Sequence, residues 1–289
     1  MFGILVNPSS GTGQARPVLD GIRSLLRDRH QDVSVYLFSS PEDVTHQVDR
    51  AMKDGCTDLV CMGGDGTLSN VVNCIAGKEV TLYVVPCGTG NDFARALKLP
   101  KDPLQAFCKQ LNGSPVRIDC GSINGRHFIN VSGSGFDVEV LRKTEELKPV
   151  CGNDRAYRKA LFAILSSYRP STFQVSLDNG PFEEIPSVII EIANGQYIGG
   201  GLRVAPDADL TDGLFDVIVV RPIPAFLIAL LFPLLICGLH VRFPFLCRVR
   251  RARRVVLRRP GMVVNIDGEL EPMNEAEFVI NPGSLTVRR

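Results

Sequence analysis

Short apolar runs alternate with amphipathic stretches through the first hundred residues, and three of those runs end in glycine-rich turns. This alternation constrains the fold most, because strands that alternate with helices pack as a parallel sheet covered on both faces. Phe2 to Val6 reads as the first strand, and Pro17 suits the first turn of a helix whose Val18, Leu19, Ile22, Leu25 and Leu26 form one apolar stripe. Asp32 to Phe38 alternates as a second strand. Ser40-Pro41-Glu42-Asp43 supplies a cap, a first-turn proline and early acids for a helix through Val44, Val48 and Met52. Leu59 to Met62 is the third strand. Leu68, Val71, Val72 and Ile75 mark a helix ending near Gly77, and Val80 to Val85 is the fourth strand.

From about Pro115 the texture changes to short alternating runs between turn dipeptides, which predicts antiparallel strands. Asn124-Gly125 and Asp178-Asn179-Gly180 are the clearest turns, and one interrupting helix is expected from Tyr157, Leu161, Ile164, Leu165 and Tyr168. A chain of 289 residues sits at the limit of a single core, so two domains are expected, 1–115 and 116–289, joined at Asn112-Gly113-Ser114-Pro115. The expected class is α/β plus β. Apolar residues at 45% and charged residues at 22% exclude disorder as the main state. Nine cysteines occur without a CxxC pair or a histidine at ligand spacing, which disfavours zinc and disulfides and points to a reducing cytoplasm. Asn7-Pro8 breaks the first apolar run too early for a secretory signal.

The glycine turns carry the chemistry. Gly63-Gly64-Asp65-Gly66-Thr67 joins a strand directly to a helix, so backbone amides and the helix N-terminus can face a phosphate. No Lys-Ser or Lys-Thr follows, so the loop is not a Walker loop, and Mg²⁺ is the simplest source of positive charge. Pro86-Cys87-Gly88-Thr89-Gly90-Asn91-Asp92 and Asn7-Pro8-Ser9-Ser10-Gly11-Thr12-Gly13 repeat the device at two further strand ends. Three such loops on successive parallel strands face one crevice, which favours a nucleotide site. Asp92 reads equally well as a capping residue or as a functional one.

Later acids admit two readings. Asp207, Asp209 and Asp212 precede Gly213-Leu214-Phe215-Asp216 and are either oxygen ligands for Mg²⁺ or solvated turn acids. Asn265-Ile266-Asp267-Gly268-Glu269 reads first as a hairpin turn, whose carboxylate can also take a proton from a hydroxyl. The uncharged stretch Pro222 to Leu239 is broken by Pro224, Pro233 and Gly238 and is more plausible as an interfacial or core-covering helix than as a membrane span. Residues 242–259 hold eight arginines and no acid, while the remainder of the chain carries −7. An apolar segment beside a basic one predicts peripheral docking on an anionic membrane, with an edge strand as the alternative. Nucleic acid is not expected as a partner, since no recognition helix accompanies the basic run and Trp is absent.

Together these motifs resemble the diacylglycerol kinase catalytic family, which includes bacterial soluble lipid kinases and the sphingosine kinases. The likeness rests on Asn-Pro-x-Ser-Gly at 7–11, Gly-Gly-Asp-Gly-Thr at 63–67, Gly-Thr-Gly-Asn-Asp-Phe-Ala at 88–94, Asn194-Gly195, Gly199 to Gly201, Asp-Gly-Leu-Phe-Asp at 212–216 and Ile-Asp-Gly-Glu at 266–269. The resemblance implies an N-terminal phosphofructokinase/NAD-kinase-like, Rossmann-type domain followed by a C-terminal β-sandwich. It also implies Mg²⁺- and ATP-dependent phosphorylation of a lipid hydroxyl between them, with diacylglycerol expected ahead of a sphingoid base or ceramide. A silent nucleotide- or lipid-binding regulator is the alternative outside enzymes, and a homodimer is left open. ATP is expected at Asn7, Pro8, Ser9, Ser10, Gly11, Ser39, Gly64, Asp65, Gly66, Thr67, Leu68, Ser69, Asn70 and Thr89. A structural Mg²⁺ is expected at the Asp212 side chain with backbone oxygens of Asp209 and Leu214, and Glu269 as the proton acceptor, with Asp267 and Asp65 beside it. Asn70 stands where many members carry glutamate.

Overall fold

The computed structural model describes residues 1–7 and 15–289. The first half runs β1 (Phe2–Val6), α1 (Ala15–Asp28), β2 (Val33–Leu37), α2 (Pro41–Lys53), β3 (Asp58–Gly63), α3 (Asp65–Ile75), β4 (Thr81–Pro86), α4 (Asp92–Ala96) and α5 (Pro103–Asn112). Its strands are parallel in the order β4-β3-β1-β2. The central strands are apolar throughout because helices cover both faces. Ile22, Leu26 and Phe107 pack with Ile4, Val60 and Tyr83 on one side, while Val48, Val71 and Val72 pack with Leu5, Leu59 and Leu82 on the other. Ser40 caps α2, its hydroxyl accepting the Asp43 amide at 3.3 Å, as the cap motif predicts. Parallel pairing places Asn7, Ser39, Gly63 and Cys87, which follow or close these strands, along one edge of the sheet.

The second half runs β5 (Pro115–Ile123), β6 (Arg126–Phe128), β7 (Val131–Gly135), α6 (Phe136–Cys151), α7 (Asn153–Ser167), β8 (Ser171–Leu177), β9 (Glu183–Ser187), β10 (Ile189–Ala193), β11 (Phe215–Val220), α8 (Ala225–Ile236), β12 (Cys247–Ala252), β13 (Arg254–Ile266) and β14 (Glu269–Arg288). Antiparallel pairing gives the order β12-β11-β10-β7-β13-β14, with β8–β9 joined to β13 and β5–β6 to β14. Fully buried Phe128, Phe173, Phe215 and Phe278 lie at the centre of this core. Asn124-Gly125 closes a two-residue hairpin with both residues at positive φ, the conformation such turns require. Helices α6 to α8 form a separate layer, in which Phe136, Val140, Leu161 and Leu165 pack against Val188. Helix α6 is not anticipated by the sequence, because its buried positions are few and Pro149 lies inside it.

β14 links the halves. It pairs antiparallel with β5 on both sides of an irregularity between Asn281 and Leu285, and beyond it also pairs in parallel with β4, Thr286 opposite Thr81 and Val287 opposite Leu82. Ser114, in the expected linker, exchanges backbone hydrogen bonds with Arg289, so this stretch is held by the end of the chain. No helix among the described residues is long and apolar enough to cross a membrane.

Candidate active site

The first two glycine loops of the parallel sheet's edge that are described meet at van der Waals distance. A Cβ added to Gly64 would stand 3.2 Å from the Gly88 Cα, so both positions exclude side chains. Gly64 precedes α3, and the Asp65 carboxylate reaches across to α4, accepting the amides of Asp92 at 3.1 Å and Phe93 at 3.2 Å. Asp65 therefore sits at two helix N-termini, where partial positive charge favours an anion. Asp92 is held in turn by Arg95 at 2.6 Å and by the Gly200 amide at 2.8 Å, which closes the glycine turn of the second half onto the first. Burial pushes the Asp92 carboxyl up to about 6 against these donors.

Asp267 completes the cluster from the other side. Asp267 and Gly268 are the two positive-φ residues of the tight β13–β14 hairpin. The carboxylate folds inward and accepts the amides of Ile129, Asn130 and Val131 at 2.8, 2.9 and 3.2 Å. Burial raises it to about 7 despite these donors, and the Asp65 charge adds to the rise.

Asp65, Thr89, Asp92 and Asp267 line one end of a cavity of about 540 Å³. Most of the remaining wall is apolar, built from Val140, Leu161, Val188, Ile228, Phe232 and Leu246 among others, with Asn130, Tyr197, His240 and Asn265 between them. A cluster of carboxylates and glycine loops thus opens onto a space suited to hydrocarbon. Asp137, at the start of α6, also lines it. One oxygen takes the Asn265 amide at 3.0 Å, the other is buried without a partner, and burial raises the group to about 6.

The expected site residues do not all come together. Gly64 and Thr89 lie in the two abutting turns, Asp65, Gly66 and Thr67 open α3, and Asn7 and Ser39 lie along the same sheet edge. Pro8, Ser9, Ser10 and Gly11 lie outside the described residues. Leu68 and Ser69 are buried, with Leu68 in the core, and Asn70 bonds the Gly66 carbonyl of its own helix. Glu269 stands apart from the cavity lining: its half-exposed carboxylate is bound by Arg126, which also holds Glu271. In the turn before β11, Asp209 is engaged by Thr211, and Asp212 by the Leu214 amide and by Arg251. Arg251 also bonds Asp216 at 3.0 Å, so a guanidinium already serves these carboxylates, and no three acids, histidines or cysteines among the described residues are grouped to hold a metal. A magnesium held by the Asp212 side chain and the backbone oxygens of Asp209 and Leu214 would share or displace the Arg251 contact. Asp137 gives no sequence signal, since an acid at a helix start reads as solvated.

Residues 1–123 match the diacylglycerol kinase catalytic domain, and 130–289 match the YegS C-terminal NAD kinase beta sandwich-like domain. A diacylglycerol kinase of Mycobacterium tuberculosis is 33% identical over 99% of this chain and 94% of its own length. The chain belongs to the diacylglycerol kinase family. Another member, a Bacillus subtilis diacylglycerol kinase, is 31% identical over 96% of this chain and 92% of its own. The family fold extends to solved structures. A diacylglycerol kinase crystal structure from Bacillus anthracis superposes with a TM-score of 0.75 at 20% identity, covering 99% of this chain and 95% of that one. An Archaeoglobus fulgidus NAD kinase in complex with ATP gives 0.56 at 13% identity, covering 100% and 94%. The NAD-kinase-like architecture and the β-sandwich expected from the motifs are therefore present.

Proposed function

We propose that this chain transfers the γ-phosphate of ATP to the free hydroxyl of diacylglycerol, giving phosphatidic acid and ADP. The observation that carries this reading is the cavity itself, which joins carboxylates and glycine loops to a mostly apolar wall. ATP would lie along the sheet edge, its phosphates over the amides of residues 63–67 and 88–90, with Asn7, Ser39 and Asn70 around it. Asp65 and Asp92 are hard oxygen donors at that end, and Mg²⁺ is commonly held by one or two carboxylates together with substrate phosphates. When bound there it supplies charge neutralisation at the phosphates.

Asp267, rather than Glu269, is the better-placed proton acceptor. It lines the cavity with its carboxyl raised to about 7, near the pH at which it would act, whereas Glu269 is half-exposed and tied to Arg126. As the lipid hydroxyl oxygen bonds to the γ-phosphorus and the bond to the β–γ bridging oxygen breaks, the hydroxyl proton passes to Asp267 and ADP leaves. Residues 1–115 would bind nucleotide and 116–289 lipid.

The test is transfer of labelled phosphate from ATP to diacylglycerol in mixed micelles. Asp267→Asn is expected to lose about 10²- to 10⁴-fold in kcat, the usual worth of general base catalysis, while Glu269→Gln loses less than about tenfold. Wild-type kcat/KM should fall as pH drops below about 7, because protonating Asp267 removes the acceptor. Equal losses in the two variants would return the role to Glu269, and an unlabelled diacylglycerol pool would remove the substrate assignment.

A further inference from the structure

A second cavity, of about 330 Å³, lies on the opposite side of α6 from the first. Asp137, Val140 and Leu141 face the larger cavity, while Val138, Glu139 and Arg142 face the smaller one, so a single helix forms a wall of both. The end of α7 and part of β13 close the other sides. The charge here is unbalanced: Arg142, Arg169 and Arg259 line the space against the carboxylate of Glu139, an excess of two positive charges.

A bulge in β13 delivers one of these arginines. Leu257 and Met262 both face the core, an odd spacing that a regular strand forbids, because the register shifts between Arg258 and Met262 and Gly261 takes a φ of 65°. Such bulges re-aim side chains, and here the Arg259 guanidinium lies over the Phe173 ring, 5.5 Å from its centre, half-buried at the cavity wall. Arg169 gives one N–H to the Tyr168 carbonyl at 3.0 Å. Neither Arg169 nor Arg259 forms a salt bridge among the described residues. Arg142 pairs with Glu139 at 3.2 Å, a solvent-exposed ion pair of the kind that is readily given up to another anion. The hydroxyls of Ser134, Ser167 and Tyr168 already donate to backbone carbonyls, so the donors left for a ligand are the guanidiniums.

We propose that this cavity binds a small soluble phosphomonoester, its phosphate on Arg142, Arg169 and Arg259, and that occupancy alters lipid binding through α6. A phosphomonoester carries about −1.5 to −2 near pH 7, which matches the excess charge, and guanidinium forks suit its oxygens. The volume leaves room for a short polar body beside the phosphate, whereas the apolar wall of Val138, Ile164 and Val263 is too small to receive acyl chains. The binding is independent of the lipid-kinase reading; the coupling through α6 rests on it.

The probe is glycerol 3-phosphate, titrated calorimetrically at fixed ionic strength without Mg²⁺, nucleotide or lipid, with glycerol as the uncharged comparison. Wild type should bind glycerol 3-phosphate and ignore glycerol. Arg169→Gln and Arg259→Gln should each weaken binding about tenfold or more, the worth of one hydrogen bond to a charged group, and Arg23→Gln, at an exposed arginine of α1, should leave it unchanged. No binding by wild type would overturn the proposal. Binding that both cavity variants retain in full would assign the ion to the glycine loops, with the same result. A response to phosphatidic acid in micelles, lost in Arg259→Gln and not matched by glycerol 3-phosphate, would move the cavity to lipid headgroups and overturn the soluble ligand. The coupling is read as a severalfold change in KM for diacylglycerol on saturation with glycerol 3-phosphate, absent in Arg259→Gln; an unchanged KM would strike the coupling. Glycerol 3-phosphate binding without phosphorylation of diacylglycerol would sink the substrate assignment and leave the second site standing.

Discussion

At the scale of single residues, Glu191 is the clearest departure from ordinary packing. It sits in β10 between Ile190 and Ile192, fully buried, and neither carboxylate oxygen has a hydrogen-bond partner. Its place exists because Gly133, directly opposite on β7, has no side chain: a Cβ there would collide with the Glu191 carboxylate. Beyond Gly133 lies Asn265 on β13, which bonds Asp137. Burial raises the Glu191 carboxyl well above its ordinary value, and the Asp137 charge raises it further. The folded state therefore holds this proton more tightly than the unfolded chain. Its effect is absent below the ordinary glutamate value of 4.5, and stability is lost as pH rises above it toward the folded value. Glu191→Gln removes the ionisation, so its melting temperature should gain on wild type steadily from pH 5 to pH 8. Each pH unit between 4.5 and the folded value should add about 1.4 kcal/mol to that gain. Melting curves that stay parallel across that range would show that Glu191 has a partner. The glutamate within an apolar run was visible in the sequence, but the glycine facing it was not, because strand pairing is not local.

At the scale of elements, the β11–β12 pair shows how a turn rich in acids is held. Asp216 and Arg251 are directly opposite across the two strands, a favourable placement for unlike charges, and Arg251 also reaches Asp212 in the preceding turn. The spacing of Asp207, Asp209 and Asp212 suggested oxygen ligands, whereas the arginine that satisfies Asp212 comes from a strand more than thirty residues later. Two outcomes follow from this arrangement. Chelation with EDTA should leave the melting temperature unchanged within about 1 °C, because the carboxylates are served by a side chain. Arg251→Gln should lower stability by about 1 to 3 kcal/mol, since it leaves the buried Asp216 without its cation. A fall in melting temperature on chelation that added Mg²⁺ reverses would place a metal at this turn. Helices with clear caps and stripes, such as α1 and α2, were legible in advance for the opposite reason, that their signals lie within one turn of the residues they act on.

At the scale of the whole molecule, the glycine loops and their order along the chain were readable because each sits at the end of an apolar strand of fixed direction. The closure of the site was not readable, since it depends on Gly200 meeting Asp92 and on Asp267 meeting residues 129–131. The return of the last strand was equally hidden: Leu285 and Val287, near the end of β14, are buried in the core of the first half with Leu82 and Ile118. Asp119 reinforces the junction, accepting the amides of Gly213 and Gly283 at 2.7 and 2.8 Å. Because one strand belongs to both sheets, the two halves should unfold together rather than as independent domains. Leu285→Ala should therefore cost about 2 to 5 kcal/mol, the range for emptying a buried leucine site, and should lower a single transition. Hydrogen exchange is the measurement that separates the possibilities. If amides in β1 and β3 of the first half and in β13 of the second lose protection by the same factor, the halves share one cooperative unit. If only the first half loses protection, β14 is a local graft and the lobes are thermodynamically separate.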